Sequence, residues 1–179
     1  MGIGDDDTAA TNLRLLETHF RQHPVTGPTE RSAPTVKPSV PVDLDVVDHI
    51  RACVTEIVTD VRAVNASPGP MPERVTDVYT WYLDNTRTAG RFQQQRRDTI
   101  IYRQRLEHAI AMRDFTVIRP HRCPQCRTMG LMWRVELKRA LCTNMRCLNE
   151  DGMSNAWTLA RLAYEHIAER ENIRQVSAT

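Results

Sequence analysis

Four cysteines in the last third of the chain have the type and spacing needed to bind a metal ion. Cys123 and Cys126 enclose two residues, fifteen residues follow, and Cys142 and Cys147 enclose four more. Closely spaced cysteines can chelate one ion, and structural zinc takes four such ligands in a tetrahedron with sulfur at about 2.3 Å. The spacing therefore predicts one structural Zn²⁺ held by all four thiolates, even though the second gap is wider than usual.

Other interpretations of the cysteines are an iron–sulfur cluster or thiols that are simply reduced. His121 is close enough in sequence to substitute for one ligand, although four thiolates already complete the shell. A catalytic zinc keeps an open position and usually has His or carboxylate ligands. The chain also lacks a Gly-rich phosphate loop, an HExxH motif and a nucleophile elbow. We therefore expect that the protein is not an enzyme, and we assign no catalytic residue.

The segment between the two cysteine pairs has the pattern of a β-hairpin. Leu131, Trp133, Val135 and Leu137 alternate with polar or flexible residues, which is the period of a half-buried strand. Lys138 and Arg139 can form the bend, and residues 140–142 return toward the first cysteine pair. A hairpin between two cysteine pairs is the zinc-ribbon arrangement.

The rest of the chain is predicted to be helical, so the expected fold class is mainly α with a small β zinc ribbon (α+β). Valines and isoleucines between Val46 and Val64 recur at three- and four-residue steps, and Cys53 lies on the same apolar face as a buried thiol. Further helices are expected from Pro72 or Glu73 to a C-terminal cap at Gly90, over residues 91–113, and from a cap at Ser154 to about residue 171.

These elements divide the chain into five parts. We expect an N-terminal helix at 1–22, a Pro-rich linker at 23–42, a helical domain at 43–115, the ribbon at 116–150 and a C-terminal helix at 151–174 packed on the ribbon. The two helices on either side of Gly90 also have the outline of a helix-turn-helix, although ordinary helical hairpins share it.

Charge is distributed unevenly along the chain. The formal net charge is +2, yet residues 87–146 contain fourteen Arg or Lys against four Asp or Glu, a net of +10. Such a block is typical of a surface that binds polyanions, while the alternative is that the arginines are solvated or pair with the acidic N-terminal half. The candidate nucleic-acid contacts on or beside the ribbon are Arg119, Arg122, Arg127, Arg134, Lys138 and Arg139.

Composition limits the cellular setting. No stretch approaches the roughly 20 apolar residues that a membrane span needs, and the acidic first residues lack the pattern of a secretory signal. Clustered cysteines in an odd total of five favour metal binding over a disulfide framework. We expect a cytoplasmic protein that makes no membrane contact.

Several blocks of the sequence resemble a known group of proteins. They are Asn-Leu-Arg-Leu-Leu at 12–16, His-Pro-Val-Thr-Gly-Pro at 23–28, Val-Asp-Leu-Asp-Val-Val-Asp at 42–48, Arg-Leu-Glu-His at 105–108, Cys-Pro-Gln-Cys at 123–126, Ala-Leu-Cys-Thr-Asn at 140–144 and Trp-Thr-Leu-Ala-Arg at 157–161. In this order they look like small zinc-ribbon proteins of actinobacterial phages, prophages and mobile elements. The resemblance implies zinc at the four cysteines and a small helical body, without an established activity.

Two functions from different classes follow from these observations. The first is a nucleic-acid-binding or regulatory accessory protein that contacts DNA or RNA through the basic 87–146 block. The second is a zinc-stabilised interaction or structural adaptor whose N-terminal helix docks on a protein partner. A steep salt dependence of nucleic-acid binding would distinguish them.

Overall fold

The computed structural model describes residues 44–177 and, before them, only Thr11 and Arg14. Most of the expected N-terminal helix and the whole of the expected Pro-rich linker therefore lie outside the described residues. Within 44–177 the chain is mainly helical and carries one small antiparallel sheet. None of the described helices is long and apolar enough to cross a membrane.

Three helices form the first half of the described chain: α1 (Leu44–Val64), α2 (Val78–Thr86) and α3 (Arg91–Ala111). The valine and isoleucine stripe of α1 was predicted correctly, because Ile57 and Val61 are buried against α2 and α3. Valine is a mediocre helix former, so this packing must stabilise the helix. The core of this half consists of Ile57, Val61, Val78, Tyr79, Tyr82, Ile100 and Ile101.

A buried polar contact fixes the three helices to one another. Asp60 on α1 is 4% exposed, accepts a hydrogen bond from the Tyr82 hydroxyl of α2 at 2.5 Å and forms an ion pair with Arg96 of α3 at 2.6 Å. A buried carboxylate is tolerated when its oxygens are paired in this way. The contact therefore joins all three helices in addition to their apolar core.

Two predicted helix boundaries were wrong. The helix expected from Pro72 or Glu73 begins only at Val78, because residues Val75–Asp77 form a 3-10 turn that starts without a side-chain cap. Gly90 does not cap the preceding helix, which ends at Thr86. It precedes α3 instead, with an extended backbone (φ −60°, ψ 158°).

The sheet contains β1 (Leu131–Arg134), β2 (Arg139–Cys142) and β3 (Ala156–Trp157), in the order β1-β2-β3 with antiparallel neighbours. The predicted hairpin is present, but its first strand is shorter than expected. The turn occupies residues 135–138, with Lys138 at φ 48°, and Arg139 belongs to β2, where it faces Arg134. The third strand was not predicted.

The last helix, α4 (Leu159–Ser177), connects the ribbon to the helical half. Ala163 and Ile167 pack against Tyr102 and Leu106 of α3, and Leu162 joins the core of the ribbon. The predicted cap at Ser154 was wrong, because Ser154 bridges to Leu148 and the side chain of Thr158 accepts a hydrogen bond from the Arg161 amide. The helix also continues past residue 171.

Candidate metal centre

The four cysteines predicted as ligands meet at one point in the ribbon. Their sulfur atoms all lie within 4.8 Å of one another. Cys123 Sγ and Cys147 Sγ are 3.8 Å apart, and Cys126 Sγ and Cys142 Sγ are 3.6 Å apart. Sulfurs at about 2.3 Å from one tetrahedral ion are about 3.8 Å from each other. The sulfurs therefore have the spacing that a single four-coordinate metal ion needs.

The first cysteine pair lies on a tight reversal of the chain that follows the 3-10 turn Phe115–Ile118. The Arg127 amide donates to the Cys123 carbonyl at 2.9 Å, and the Cys123 amide donates to the Thr128 carbonyl at 2.9 Å. Arg127 completes the reversal with φ 59°. These bonds bring the Cys126 sulfur back toward that of Cys123 and place it 3.0 Å from the Thr128 hydroxyl.

The second pair begins at the end of β2 and uses a different turn. The Cys147 amide donates to the Asn144 carbonyl at 2.8 Å, and the Asn144 side chain accepts from the Arg146 amide at 3.1 Å. An Asn side chain that bonds two residues ahead stabilises such a turn. The four residues between Cys142 and Cys147 therefore form a compact loop, which explains why the wider gap still brings both sulfurs together.

The two pairs are also joined to each other across the hairpin. Thr143 donates to the Gly130 carbonyl through its amide at 3.1 Å and through its hydroxyl at 2.6 Å. Gly130 has φ 111°, and a side-chain carbon added there would lie 2.6 Å from the Thr143 hydroxyl. A glycine is therefore required where the first pair leads into β1.

A residue that sequence analysis missed supports the second pair. Asn155 precedes β3, and its backbone carbonyl accepts from the Cys142 amide at 2.9 Å while its own amide donates to the Cys147 carbonyl at 3.3 Å. Its side chain also donates to the Cys147 sulfur at 3.3 Å. An N–H directed at a ligand sulfur stabilises the thiolate and orients it. The Asn155 position carries no sequence signal of this role.

The sulfurs differ in their surroundings. Cys123, Cys142 and Cys147 are buried, and Cys126 is partly exposed. Hydrogen bonds from Thr128 lower the pKa of Cys126 to about 6, whereas burial raises the pKa of Cys142 to about 12. A divalent ion that binds all four sulfurs must displace the remaining protons, so its affinity will depend on pH. The donor set, four thiols with no open position, fits a structural ion.

His121 does not belong to this cluster. Its Nε2 lies 3.1 Å from the Tyr102 hydroxyl, and its Nδ1 lies 3.2 Å from the Ile118 carbonyl. The imidazole is thus already engaged on the α3 side of the ribbon. Trp133 and Trp157 also pack on the ribbon core, as expected.

All six residues predicted as nucleic-acid contacts are exposed. They differ, however, in whether another side chain or the backbone already holds their charged group. Arg127 forms ion pairs with Glu165 at 3.6 Å and Glu169 at 3.0 Å, and Arg122 donates to the Arg127 carbonyl. Arg134, Lys138 and Arg139 lie together at the end of the hairpin, and these three, like Arg119, form no ion pair within residues 44–177.

Comparison with protein-family models, with curated proteins and with solved structures finds no match for this chain. By its fold and site, the chain is a mainly helical protein with a four-cysteine cluster compatible with one metal ion. The resemblance to zinc-ribbon proteins of phages stays a prediction.

Proposed function

We propose that this chain is a zinc-stabilised accessory protein that binds nucleic acid through the end of its β-hairpin. The observation that carries the proposal is the basic hairpin end, defined here as Arg134, Lys138 and Arg139. Arg134 and Arg139 are direct partners across the β1–β2 ladder, and Lys138 lies in the turn beside them. Like charges directly opposite on a ladder repel, so an anion such as a phosphate would relieve the repulsion.

The contrast with the helical half supports this choice of surface. Most arginines of the 87–146 block that lie on or near α2 and α3 form ion pairs within the protein: Arg87 with Asp84, Arg91 with Glu171, Arg96 with Asp60, Arg97 with Asp98, and Arg103 with Glu56 and Glu107. For the helices, these ion pairs favour the alternative that the arginines are paired with acidic residues of the protein itself. It makes α3 a weaker candidate than the hairpin for entering a groove of DNA.

Zinc is the ion that we assign to the four cysteines, and its role in the proposal is structural. Four thiolates in a closed shell favour zinc over ions that prefer oxygen ligands. With the ion in place the hairpin is held at its base, so the three basic side chains lose less freedom when they contact phosphates. The proposal involves no catalytic step and places the protein in a cytoplasm, where thiols stay reduced.

A salt series tests the proposal. Zinc-loaded protein is titrated into fluorescent double- and single-stranded DNA and into RNA, and the logarithm of the association constant is plotted against that of the salt concentration. We expect a negative slope that becomes shallower by about 2 to 3 in the triple variant Arg134→Gln, Lys138→Gln, Arg139→Gln, because each lost phosphate contact removes about 0.7 to 0.9.

The matched control is the triple variant Arg51→Gln, Arg62→Gln, Arg74→Gln, which removes the same charge from exposed positions in the helical half. It should retain most of the wild-type slope. Equal losses in both triple variants would show that only net charge matters. An absence of binding at low salt would refute the proposal.

A second function has its own observation. The ribbon exposes many large apolar side chains for its size: Met129, Met132, Val135, Leu137, Met145, Leu148 and Met153. Flexible methionines at a surface are typical of protein-binding sites. These residues favour a protein-interaction adaptor as the alternative, and a phage or mobile-element origin, as the sequence resemblance implies, would suit either function.

A further inference from the structure

A second group of metal-binding side chains lies between α1 and α3, away from the four cysteines. His49 and Cys53 are one helical turn apart on α1, and His108 faces them from α3. Their ligand atoms, one from each residue, all lie within 4.8 Å of one another. His49 Nε2 is 3.0 Å from His108 Nδ1 and 3.7 Å from Cys53 Sγ.

We propose that His49, Cys53 and His108 form a second metal site, which binds Zn²⁺ and leaves its fourth position open. For a tetrahedral zinc ion, two nitrogen ligands are about 3.3 Å apart and a nitrogen and a sulfur about 3.6 Å apart. The two distances from His49 Nε2 differ from these values by only a few tenths of an ångström, and the third pair, Cys53 and His108, lies within 4.8 Å. Imidazole suits several transition metals and thiolate suits fewer, and zinc is common to both.

A chain of hydrogen bonds sets the tautomer of His108. The Gln104 amide nitrogen donates to the Cys53 carbonyl at 3.2 Å and to Glu56 at 2.9 Å, so its oxygen is the acceptor for the Tyr79 hydroxyl at 2.8 Å. Since Tyr79 has only one proton to donate, His108 Nε2, 3.2 Å away, must be the donor in their contact. Nδ1 is then unprotonated, and its lone pair is directed toward His49 and Cys53.

This arrangement is the one in which metal-binding histidines are usually held. The ring nitrogen that does not bind the ion donates to a fixed partner, which orients the imidazole and raises its basicity. The hydrogen bonds above leave His108 Nδ1 unprotonated while Nε2 keeps its proton, which is the neutral form of imidazole that binds metals. Without an ion, the same lone pair accepts a hydrogen bond from His49 Nε2.

The open position faces a cleft between the helices and the ribbon. The cleft has a volume of about 730 Å³, and His49 and Cys53 line it together with Trp133, Lys138 and Thr158. His108 is fully buried behind them. A metal held here would thus have protein on one side and space for water or a small anionic ligand on the other. Glu56 and Glu107 share the counter-charge of Arg103 on the helical side of the cleft, and Lys138 and Arg139 line the ribbon side.

Metal content of the full chain decides the proposal. Wild-type protein dialysed against excess Zn²⁺ and then against buffer is expected to carry two zinc ions per chain. His49→Gln and Cys53→Ser should each carry one, with the helical signal in circular dichroism unchanged. The control is His23→Gln, which removes an imidazole elsewhere in the sequence and should still carry two.

Cobalt provides a second readout. When Co²⁺ is added to protein that already holds one zinc, we expect new visible absorption with a sulfur-to-cobalt charge-transfer band, and Cys53→Ser should remove that band. One zinc per chain in the wild type at saturation would overturn the proposal. So would two zinc ions in both His49→Gln and Cys53→Ser.

Discussion

The side-chain amide of Asn155 donates a hydrogen bond to the sulfur of Cys147, with Nδ2 and Sγ 3.3 Å apart. Through it, the residue that leads into the short third strand contributes to the cysteine cluster although it supplies no ligand. Asn155 also bonds through its backbone to both residues of the second cysteine pair. Asn155 therefore connects the sheet to the cysteine cluster.

The variant Asn155→Ala is predicted to bind zinc more weakly, by about 10-fold, because losing a hydrogen bond to a ligand typically costs 10- to 100-fold in affinity. Competition with a chromophoric chelator would measure the change. Asn172→Ala, at an exposed position of α4, is the control and should leave the affinity unchanged. An unaltered affinity in Asn155→Ala would show that the amide does not support the metal.

Loss of the ion should loosen the ribbon before the helical half. In Cys126→Ser, the amides of β1 and β2 are expected to lose protection from hydrogen exchange, since the ribbon core is small and is built around the cysteines themselves. The amides around Ile57 and Val61 of α1 should stay protected, because their packing involves only α1, α2 and α3. Equal loss of protection in both regions would contradict the expectation that the ribbon core can open while the core of α1, α2 and α3 stays folded.

Gly130→Ala tests the backbone that leads into the hairpin. An alanine at φ 111° is strained, and its side chain would push against the Thr143 hydroxyl, which holds the Gly130 carbonyl. We expect the free energy of unfolding to fall by about 1 to 3 kcal/mol. Gly69→Ala is the control, since nothing lies within 4 Å of the added carbon there. Equal stabilities of the two variants in urea denaturation would refute the argument.

The contact between Asp60 and Tyr82 predicts a graded loss of stability. Tyr82→Phe removes the hydroxyl and keeps the ring, so it should cost about 1 kcal/mol. Asp60→Ala leaves the buried hydroxyl without its acceptor and Arg96 without its partner, so the cost should be larger, about 1 to 3 kcal/mol. Urea denaturation measures the free energy of unfolding of both variants. A larger loss for Tyr82→Phe than for Asp60→Ala would contradict the expected order.

Local patterns in the sequence predicted the features that depend on residues close together in the chain. The spacing of Cys123 and Cys126 indicated chelation, and the structure brings their sulfurs together with those of Cys142 and Cys147 at distances compatible with one metal ion. The valine stripe of α1 indicated a buried helical face, which the structure confirms. The cap at Ser154 was a local inference that failed, because the chain there pairs with Leu148 before the helix begins. A cap residue alone does not show which of several turns starts a helix.

Features that depend on distant contacts could not be predicted in this way. Strand β3 has only two residues, and its pairing with β2 is what defines it. His49 and His108 are 59 positions apart and meet only when α1 packs on α3. Likewise, the positive block at 87–146 gave no sign of which arginines are paired, because Asp60 and Glu56 come from another helix.

Native mass spectrometry of the purified chain can test whether Cys123, Cys126, Cys142 and Cys147 hold one zinc ion. We expect the wild-type chain to retain zinc and Cys142→Ser to retain one ion fewer under the same conditions. A wild-type chain that carries no zinc after exposure to it, or a variant that carries as much as the wild type, would refute this assignment.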